Sequence, residues 1–331
     1  MLATPTASWS LDFGSPNLGM LHDALPLPHP AVDPGLALSF LAADGTPLRG
    51  RAFEPDRPAH AVAVLAPATG VPQRYYQAFA QWLARRGYAV LSFDYRGMGA
   101  SQQPGGAAAS MRDWVRHDLS GALQAARQRA GSGPQALPLL WIGHSLGGNG
   151  LPLVHGLEQL DAAITVGSQF GYWRLWRAGF HRQITRFFFA HWAPFWVRLT
   201  GRLPGCALGG GESLPGAAAL DWSRWGLSPN YYLDDPQCAD WYRPQDFRGH
   251  LQLWSIEDDP TFGPAPAVDA LAACFNASAG SVERLHLAPR AVGMRRLGHF
   301  GPFRRQAQAR VWPLLLESIE ARVPRLRRAC R

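Results

Sequence analysis

Apolar and polar positions along the chain predict strands and helices in turn. Short apolar runs, with the length of strands buried on both faces, occupy residues 61–67, 88–97, 138–145 and 161–168. Residues 73–87 and 111–131 carry apolar side chains at helical spacing instead. Before the first buried run, two alternating segments flank Ala43-Asp44-Gly45 and predict a hairpin. Because strand and helix alternate, we expect an α/β fold with a mostly parallel, doubly wound sheet and helices on both faces.

The alternation stops near residue 168 and returns at residue 250. The residues in between are aromatic, Arg-bearing helical stretches broken by Gly and Pro, and no buried strand is predicted there. The remaining segments are predicted as a strand in HLQLWSIEDDP, a helix in AVDALAACF, a short strand in RLHLA and a final amphipathic helix over residues 302–322. We therefore expect a core of residues 35–167 and 247–325, a helical insertion of residues 168–246, and a loosely structured lead-in of residues 1–34.

Composition places the chain among globular proteins. Of its 331 residues 47% are hydrophobic and 17% charged, which is enough apolar material for a sizeable core and excludes a disordered or fibrous chain. The net charge is +8, and every basic residue is Arg, a bias typical of GC-rich and usually bacterial genomes. Neither zinc-finger spacing nor an RNA-binding aromatic motif accompanies this charge, so no nucleic-acid partner is predicted.

The cysteines and the N-terminal sequence indicate the cellular compartment in which the protein is expected. Cys206, Cys238, Cys274 and Cys330 form no CxxC pair and have no metal-site spacing, so reduced thiols in a cytoplasm are expected. The first twenty residues lack a basic segment followed by an apolar one, and no uncharged apolar run of about 20 residues exists. We therefore predict neither a signal peptide nor a membrane-spanning helix.

One short stretch carries the chemistry. In LLWIGHSLGGNG (139–150), a buried strand runs into Ser145, which Gly143 and Gly147 flank at two residues on either side. Ligands of α/β proteins bind at the carboxyl ends of the strands, where this serine lies. A tight strand-to-helix turn strains the serine and requires small neighbours, and the amides that open the following helix favour an oxyanion.

A serine hydroxyl needs a base, and the base needs an orienting acid. His299, in the glycine-flanked loop RRLGHFGPF, is the best candidate for the base, whereas His144 is expected to point into the fold and pack. The acid should follow a late strand, and LQLWSIEDDP ends in three carboxylates. Asp259 is favoured over Asp258, and Glu257 is the weakest of the three. The chain order Ser145, Asp259, His299 is typical of one hydrolase architecture.

These motifs together resemble the α/β-hydrolase superfamily, and within it bacterial predicted hydrolases near the serine aminopeptidase and monoacylglycerol lipase-like group. The similar stretches are residues 68–101 (ATGVPQRYYQAFAQWLARRGYAVLSFDYRGMGAS), WIGHSLGGNG, SIEDDPTFGP and GHFGPF. In the family pattern, the acid stands in G-x-x-D-x-φ-φ-P, where φ is an apolar residue. That register falls on Asp259, but one extra residue before Pro264 keeps Asp258 open.

The resemblance also implies an oxyanion hole. The family's His-Gly turn is missing here, and Pro67 in its place has no N–H to donate. By register the first oxyanion amide is expected at Ala68, with Thr69 next, and the second at Leu146. Asp94 to Ser101 matches a structural D-x-R-G-x-G-x-S turn and lacks the features of a phosphate loop. The resemblance therefore implies no organic cofactor and no metal.

The insertion resembles the family's cap over the active site. Residues 168–211 contain eleven aromatics and six Arg but no Asp or Glu. Two interpretations stand: an apolar roof for an acyl group with a basic rim that suits an anionic lipid surface, or simple packing of the helices with solvated Arg. The expected function is a serine hydrolase (carboxylesterase or lipase-like) that cleaves a carboxylic ester with a medium acyl chain. Amide, peptide or thioester cleavage and non-catalytic ligand binding are the alternatives, and the oligomeric state stays open.

Overall fold

The computed structural model describes residues 35–102 and 109–329. The expected lead-in of residues 1–34 and Cys330 lie outside these ranges. The strands are β1 Leu36–Leu41, β2 Pro47–Phe53, β3 Ala61–Ala66, β4 Tyr88–Phe93, β5 Leu139–His144, β6 Ala162–Val166, β7 Arg202–Leu203, β8 Leu214–Pro215, β9 His250–Ile256 and β10 Ser281–Leu287. The α-helices are α1 Gln77–Ala84, α2 Met111–Asp113, α3 Leu119–Ala130, α4 Leu146–Asn149, α5 Phe180–Phe187, α6 Ala193–Thr200, α7 Gly216–Leu227, α8 Pro236–Ala239, α9 Ala265–Ala273, α10 Trp312–Glu320 and α11 Pro324–Ala329.

Eight strands form one sheet in the order β1-β2-β4-β3-β5-β6-β9-β10. The β1–β2 and β2–β4 pairs are antiparallel, and the other pairs are parallel. This arrangement confirms the predicted hairpin and the predicted mostly parallel α/β sheet. Since the carboxyl ends of the parallel strands share one edge, the segments that follow β3, β5 and β9 come together there.

The two faces of the sheet have separate cores, as continuous apolar strands require. Along β3, Val62 and Val64 belong to one core, while Ala63 and Leu65 belong to the other. Helix α3 packs on the first face, with Leu119 and Leu123 among its buried residues, and α1 and α10 pack on the second. Burial at about 25 cal/mol per Å² of apolar surface on both faces makes these strands the most strongly held part of the fold.

The sequence prediction is wrong at two places outside the sheet centre. The last helix begins at Trp312 rather than at residue 302, and only short 3-10 turns, at Gly301–Phe303 and Arg305–Ala307, precede it. Pro313 in the first turn of α10 fits that start, because a missing N–H costs nothing there. The insertion also contains a ribbon of β7 and β8, whose two-residue strands are too short for a periodic pattern.

Residues 168–246, called the insertion below, join β6 to β9. Helix α5 continues through a π-helical stretch, Phe188–Trp192, into α6, and α7 packs beside this long helix. The contact is close, because a Cβ on Gly226 of α7 would lie 2.4 Å from the ring of Phe189. Nowhere in residues 35–102 and 109–329 does a helix have the length and apolar character needed to cross a membrane.

Candidate active site

Ser145 lies at the carboxyl end of β5 in a strained conformation. Its φ is 51° and its ψ is −111°, a region that non-glycine residues rarely adopt. The strain persists because the surrounding backbone is packed tightly. A Cβ on Gly147 would lie 2.1 Å from the carbonyl oxygen of Ala66, and one on Gly143 would lie 2.6 Å from that of Gly147. Only glycine at both positions allows the chain to turn and expose the serine at the edge of the sheet.

Helix α4, which follows Ser145, has only four residues. A 3-10 turn with Pro152 succeeds it at once, since proline cannot continue the amide ladder. So short a helix has little macrodipole, and any oxyanion stabilisation must come from individual amides. No backbone hydrogen bond from Leu146 N–H is found within the described residues.

His299 and Asp259 form a buried pair. Nδ1 of His299 lies 2.6 Å from Oδ2 of Asp259, and the two side chains are 3% and 1% exposed. The other carboxylate oxygen of Asp259 accepts the N–H of Phe262 at 3.0 Å, which fixes its orientation. Because Nδ1–H donates to the carboxylate, Nε2 of His299 is left as the acceptor that a general base needs.

Asp258 has a different position from its neighbour. Its two oxygens accept the backbone N–H groups of Leu297 at 2.9 Å and Gly298 at 2.8 Å. It therefore anchors the loop that carries His299 and does not contact the imidazole. The structure thus brings Asp259, and not Asp258, to the histidine.

Ser145 and His299 line the same small cavity, whose volume is about 50 Å³. The lining residues come from the turn after β3, the serine turn, the insertion and the loops near β9 and β10: Ala68, Thr69, Gly70, Val71, Ser145, Gln169, Leu208, Gly210, Gly211, Trp222, Phe262, His299 and Phe300. Most of this surface is apolar or backbone, and none of these residues is Asp or Glu. Sites for small-molecule ligands usually enclose about 300–1,000 Å³, so this cavity is a narrow one.

The turn after β3 contains a backbone amide without a hydrogen-bond partner among the described residues, in a residue that lines this cavity. Val71 N–H donates to the carbonyl of Ala68 at 3.2 Å, and Gly70 has a φ of +72°, which defines a type II turn with Thr69 at its second position. The N–H of Ala68, the oxyanion donor expected from the sequence, donates to Tyr76 Oη at 2.9 Å. The N–H of Thr69 has no such partner within the described residues.

Tyr76 and His144 connect this turn to the histidine loop. The ring of His144 lies 2.8 Å from Tyr76 Oη through Nδ1 and 3.1 Å from the carbonyl of His299 through Nε2. A carbonyl only accepts, so Nε2 carries the proton and Tyr76 donates its own to Nδ1. Complete burial, reinforced by His299, lowers the pKa of His144 well below its ordinary value, so the ring is neutral. A series of three hydrogen bonds, all donated in the same direction, thus runs from the Ala68 N–H through Tyr76 and His144 to the His299 carbonyl.

The insertion holds the same turn from outside through Glu212. The N–H of Glu212 donates to the carbonyl of Gly70 at 2.9 Å. Its carboxylate pairs with Arg74 at 2.8 Å and accepts the N–H of Gly99 at 2.9 Å. Glu212 has no sequence signal of its own, since a single acid in an irregular stretch predicts nothing. Its contacts explain why the D-x-R-G-x-G-x-S turn, which contains Gly99, lies beside the site.

No cluster of three or more His, Cys, Asp or Glu that could hold a metal ion occurs in residues 35–102 and 109–329. The three cysteines in those ranges, Cys206, Cys238 and Cys274, are free thiols.

The chain resembles proteins of a known family and proteins of known structure. A sequence model of the family described as serine aminopeptidase, S33, matches residues 57–248, which is more than half of the chain. No curated protein matches the sequence.

Solved structures with the same fold are far in sequence. A soluble variant of monoglyceride lipase from Saccharomyces cerevisiae, in complex with a substrate analog, is 12% identical with a TM-score of 0.63, over 90% of this chain and 99% of that one. An esterase from Pyrococcus furiosus is 13% identical with a TM-score of 0.57, over 90% and 95%. Acylaminoacyl peptidase from Pyrococcus horikoshii is 14% identical with a TM-score of 0.55, and the match spans 87% of this chain but 41% of that one. At these identities the likeness shows the α/β-hydrolase fold alone.

Proposed function

The chain belongs to the serine aminopeptidase, S33, family within the α/β-hydrolase superfamily, near the monoglyceride lipase-like group, and from that premise we propose that it is a serine hydrolase that cleaves a carboxylic ester. One observation carries the proposal. Ser145, on its strained turn, lines one cavity together with a histidine that is held by a buried carboxylate. A binding protein on this fold would need no such serine–histidine–aspartate set.

The proposed reaction has two halves. In the first, Ser145 Oγ attacks the acyl carbonyl, Nε2 of His299 takes the hydroxyl proton, and the imidazolium is stabilised by Asp259. The amides of Leu146 and Thr69 bind the oxyanion, and His299 then gives its proton to the leaving alcohol. In the second half, water attacks the acyl-enzyme with the same base, and the acid product and free Ser145 result.

An ester fits the cavity better than a peptide with a free amino terminus. An aminopeptidase has to bind a buried ammonium group, and a buried charge needs a partner. Of the described residues that line the cavity, none is a carboxylate, and Glu212 nearby is already engaged by Arg74. The apolar lining by Val71, Leu208 and Phe262 favours an uncharged acyl group.

Size limits the acyl group. A cavity of about 50 Å³ is small beside the roughly 300–1,000 Å³ of common ligand sites, so a medium acyl chain requires the walls to part. We propose that the insertion is a cap, and that its residues Leu208 and Trp222 move when a longer chain enters.

The first experiment is labelling with a fluorophosphonate followed by intact-mass spectrometry. We expect one adduct on the wild type and none on Ser145→Ala. Ser168→Ala is the matched control: Ser168 is also buried after a strand, and its hydroxyl has no hydrogen-bond partner among the described residues, so its loss leaves nothing unpaired. This control should keep the adduct. An unlabelled but folded wild type would favour the ligand-binding alternative.

A substrate panel then separates the candidate reactions. The p-nitrophenyl esters of acetate, butyrate and octanoate report chain length, and an aminoacyl p-nitroanilide reports aminopeptidase activity. We expect hydrolysis of the esters and little of the anilide. Faster cleavage of the anilide would contradict the ester proposal while leaving the serine hydrolase proposal intact.

A further inference from the structure

One side of the long helix formed by α5 and α6 is apolar and faces outward. Its residues are large, hydrophobic and unusually accessible: Phe180 (67% exposed), Ile184 (43%), Phe187 (51%), Trp192 (36%), Phe195 (53%) and Leu199 (64%). We call these six residues the exposed face. Their spacing of three to five residues places them along one side of a helix, and Thr185, Phe189 and Ala193 are buried on the other side. A stripe of this length is rare on the surface of a monomer and marks an interaction site.

The charge around the exposed face has one sign. The segment 168–211 has six Arg and no acid, and none of the six forms a salt bridge with any described residue: Arg174, Arg177, Arg182, Arg186, Arg198 and Arg202. Other Arg side chains, such as Arg96 and Arg112, pair with carboxylates in this fold. The segment 168–211 contains no Asp or Glu of its own for such pairs. The exposed face is therefore an apolar stripe on a segment whose six Arg form no salt bridge with any described residue.

We propose that the exposed face binds the surface of an anionic lipid bilayer. An amphipathic helix with aromatic residues on its apolar side and Arg beside it lies in the interface between headgroups and acyl chains, where both parts are satisfied. Trp192 is the kind of side chain that prefers this depth. A second copy of the chain fits less well, because a two-fold contact would bring the same Arg-rich surface against itself.

The exposed face is also close to the proposed catalytic cavity. The rings of Phe188 and Phe189, on the helix that carries the face, lie 5.3 Å and 5.5 Å from the ring of Trp222. Trp222 in turn lines the cavity with Ser145. One layer of aromatic side chains thus separates the proposed bilayer contact from the proposed site of hydrolysis.

The test is cosedimentation of the full chain with vesicles of phosphatidylcholine alone or with 30% phosphatidylglycerol. The protein carries Ser145→Ala, so that the result does not depend on the proposed activity. We expect binding to the anionic vesicles, and a loss of at least tenfold in 500 mM salt. Arg186→Gln and Arg198→Gln should each weaken binding about fivefold. Leu199→Ser should weaken it about tenfold, since one large apolar side chain no longer enters the bilayer.

Matched controls come from the protein surface outside the insertion. Leu41→Ser removes a leucine that is 60% exposed on β1, almost as accessible as Leu199 at 64%, and Arg57→Gln removes an exposed Arg outside the insertion. Both should bind like the parent. Equal binding to neutral vesicles would overturn the anionic part of the proposal. A folded monomer that binds neither kind, a dimer that forms through the exposed face, or equal losses in the controls would overturn the proposal altogether.

Discussion

Replacement of Tyr76 by phenylalanine tests whether the hydrogen-bonded chain behind the site is as we describe it. The Tyr76 hydroxyl accepts the N–H of Ala68 at 2.9 Å and donates to Nδ1 of His144, 2.8 Å away. Tyr76 is 2% exposed and His144 is fully buried, so water cannot replace the hydroxyl. Tyr76→Phe keeps the ring and its packing and removes only this one oxygen.

The expected cost follows from the groups left behind. Both the Ala68 amide and His144 Nδ1 would be buried without a partner, and each such group costs about 1–3 kcal/mol. Partial relaxation of the turn reduces the sum, and we expect a loss of about 3 kcal/mol in the free energy of unfolding. The same relaxation frees the turn that aims the Thr69 amide, so kcat should fall about tenfold to a hundredfold with little change in KM.

The assay is urea unfolding, together with ester kinetics, of Tyr76→Phe beside Tyr75→Phe. The adjacent Tyr75 is a matched control, because its hydroxyl donates to the carbonyl of Phe300 at 2.5 Å and interacts with the half-buried Arg304, but does not bridge a buried amide and a buried histidine. One carbonyl left unpaired should cost about 1 kcal/mol. If Tyr76→Phe is no more destabilising than Tyr75→Phe, the hydroxyl does not bridge two buried groups and the reasoning is refuted.

Three further predictions concern the same site. Thr69→Pro deletes the proposed oxyanion amide at a turn position that proline favours. We therefore expect kcat to fall about 10²–10³-fold, while the urea midpoint stays close to that of the wild type. An unchanged kcat would show that another amide binds the oxyanion. Asp259→Asn should lower kcat in ester kinetics about 10⁴-fold with the fold intact. Asp258→Asn should mainly lower the melting temperature measured by calorimetry. The reverse result would assign Asp258 to the histidine and Asp259 to the loop. Burial holds the pKa of His144 well below 6.5 in the folded state but not in the unfolded chain, so the unfolded state binds more protons in acid. The stability from this residue is present above pH 6.5 and should fall by about 1 kcal/mol at one pH unit below it, a loss that urea curves should not show for His144→Gln.

The central sheet and the serine turn were predictable because their signals are local. Each buried strand is a continuous apolar run, and the turn at Ser145 needs glycines at fixed distances. His299 was identifiable in the same way, from a glycine-flanked loop before the end of the chain. Each of these signals arises from residues that are close together in the sequence, so the sequence alone reveals it.

The acid and the oxyanion amide depended on distant contacts instead. Asp258 and Asp259 are neighbours in sequence, and the side chain that meets His299 is decided by how β9 ends against a loop some 40 residues later. Our proposal of Thr69 instead of Ala68 as the oxyanion donor depends on a tyrosine hydroxyl eight residues after Ala68, which register alone does not reveal. Hydrogen-bond partners of this kind appear only when the chain is folded.

The contacts of the insertion limit how the cavity can enlarge. Glu212 N–H binds the carbonyl of Gly70, and a Cβ on Gly211 would lie 2.7 Å from the same oxygen, so this part of the insertion rests directly on the turn with the Thr69 amide. A movement of residues 211–212 would disturb the proposed oxyanion donor at the moment it is needed. Leu208 and Trp222 also line the cavity, and in the part of the chain that the structure describes neither makes a hydrogen bond to that turn. We therefore propose that room for a longer acyl chain comes from Leu208 and Trp222, without loss of the oxyanion geometry, and that these two side chains limit the chain length.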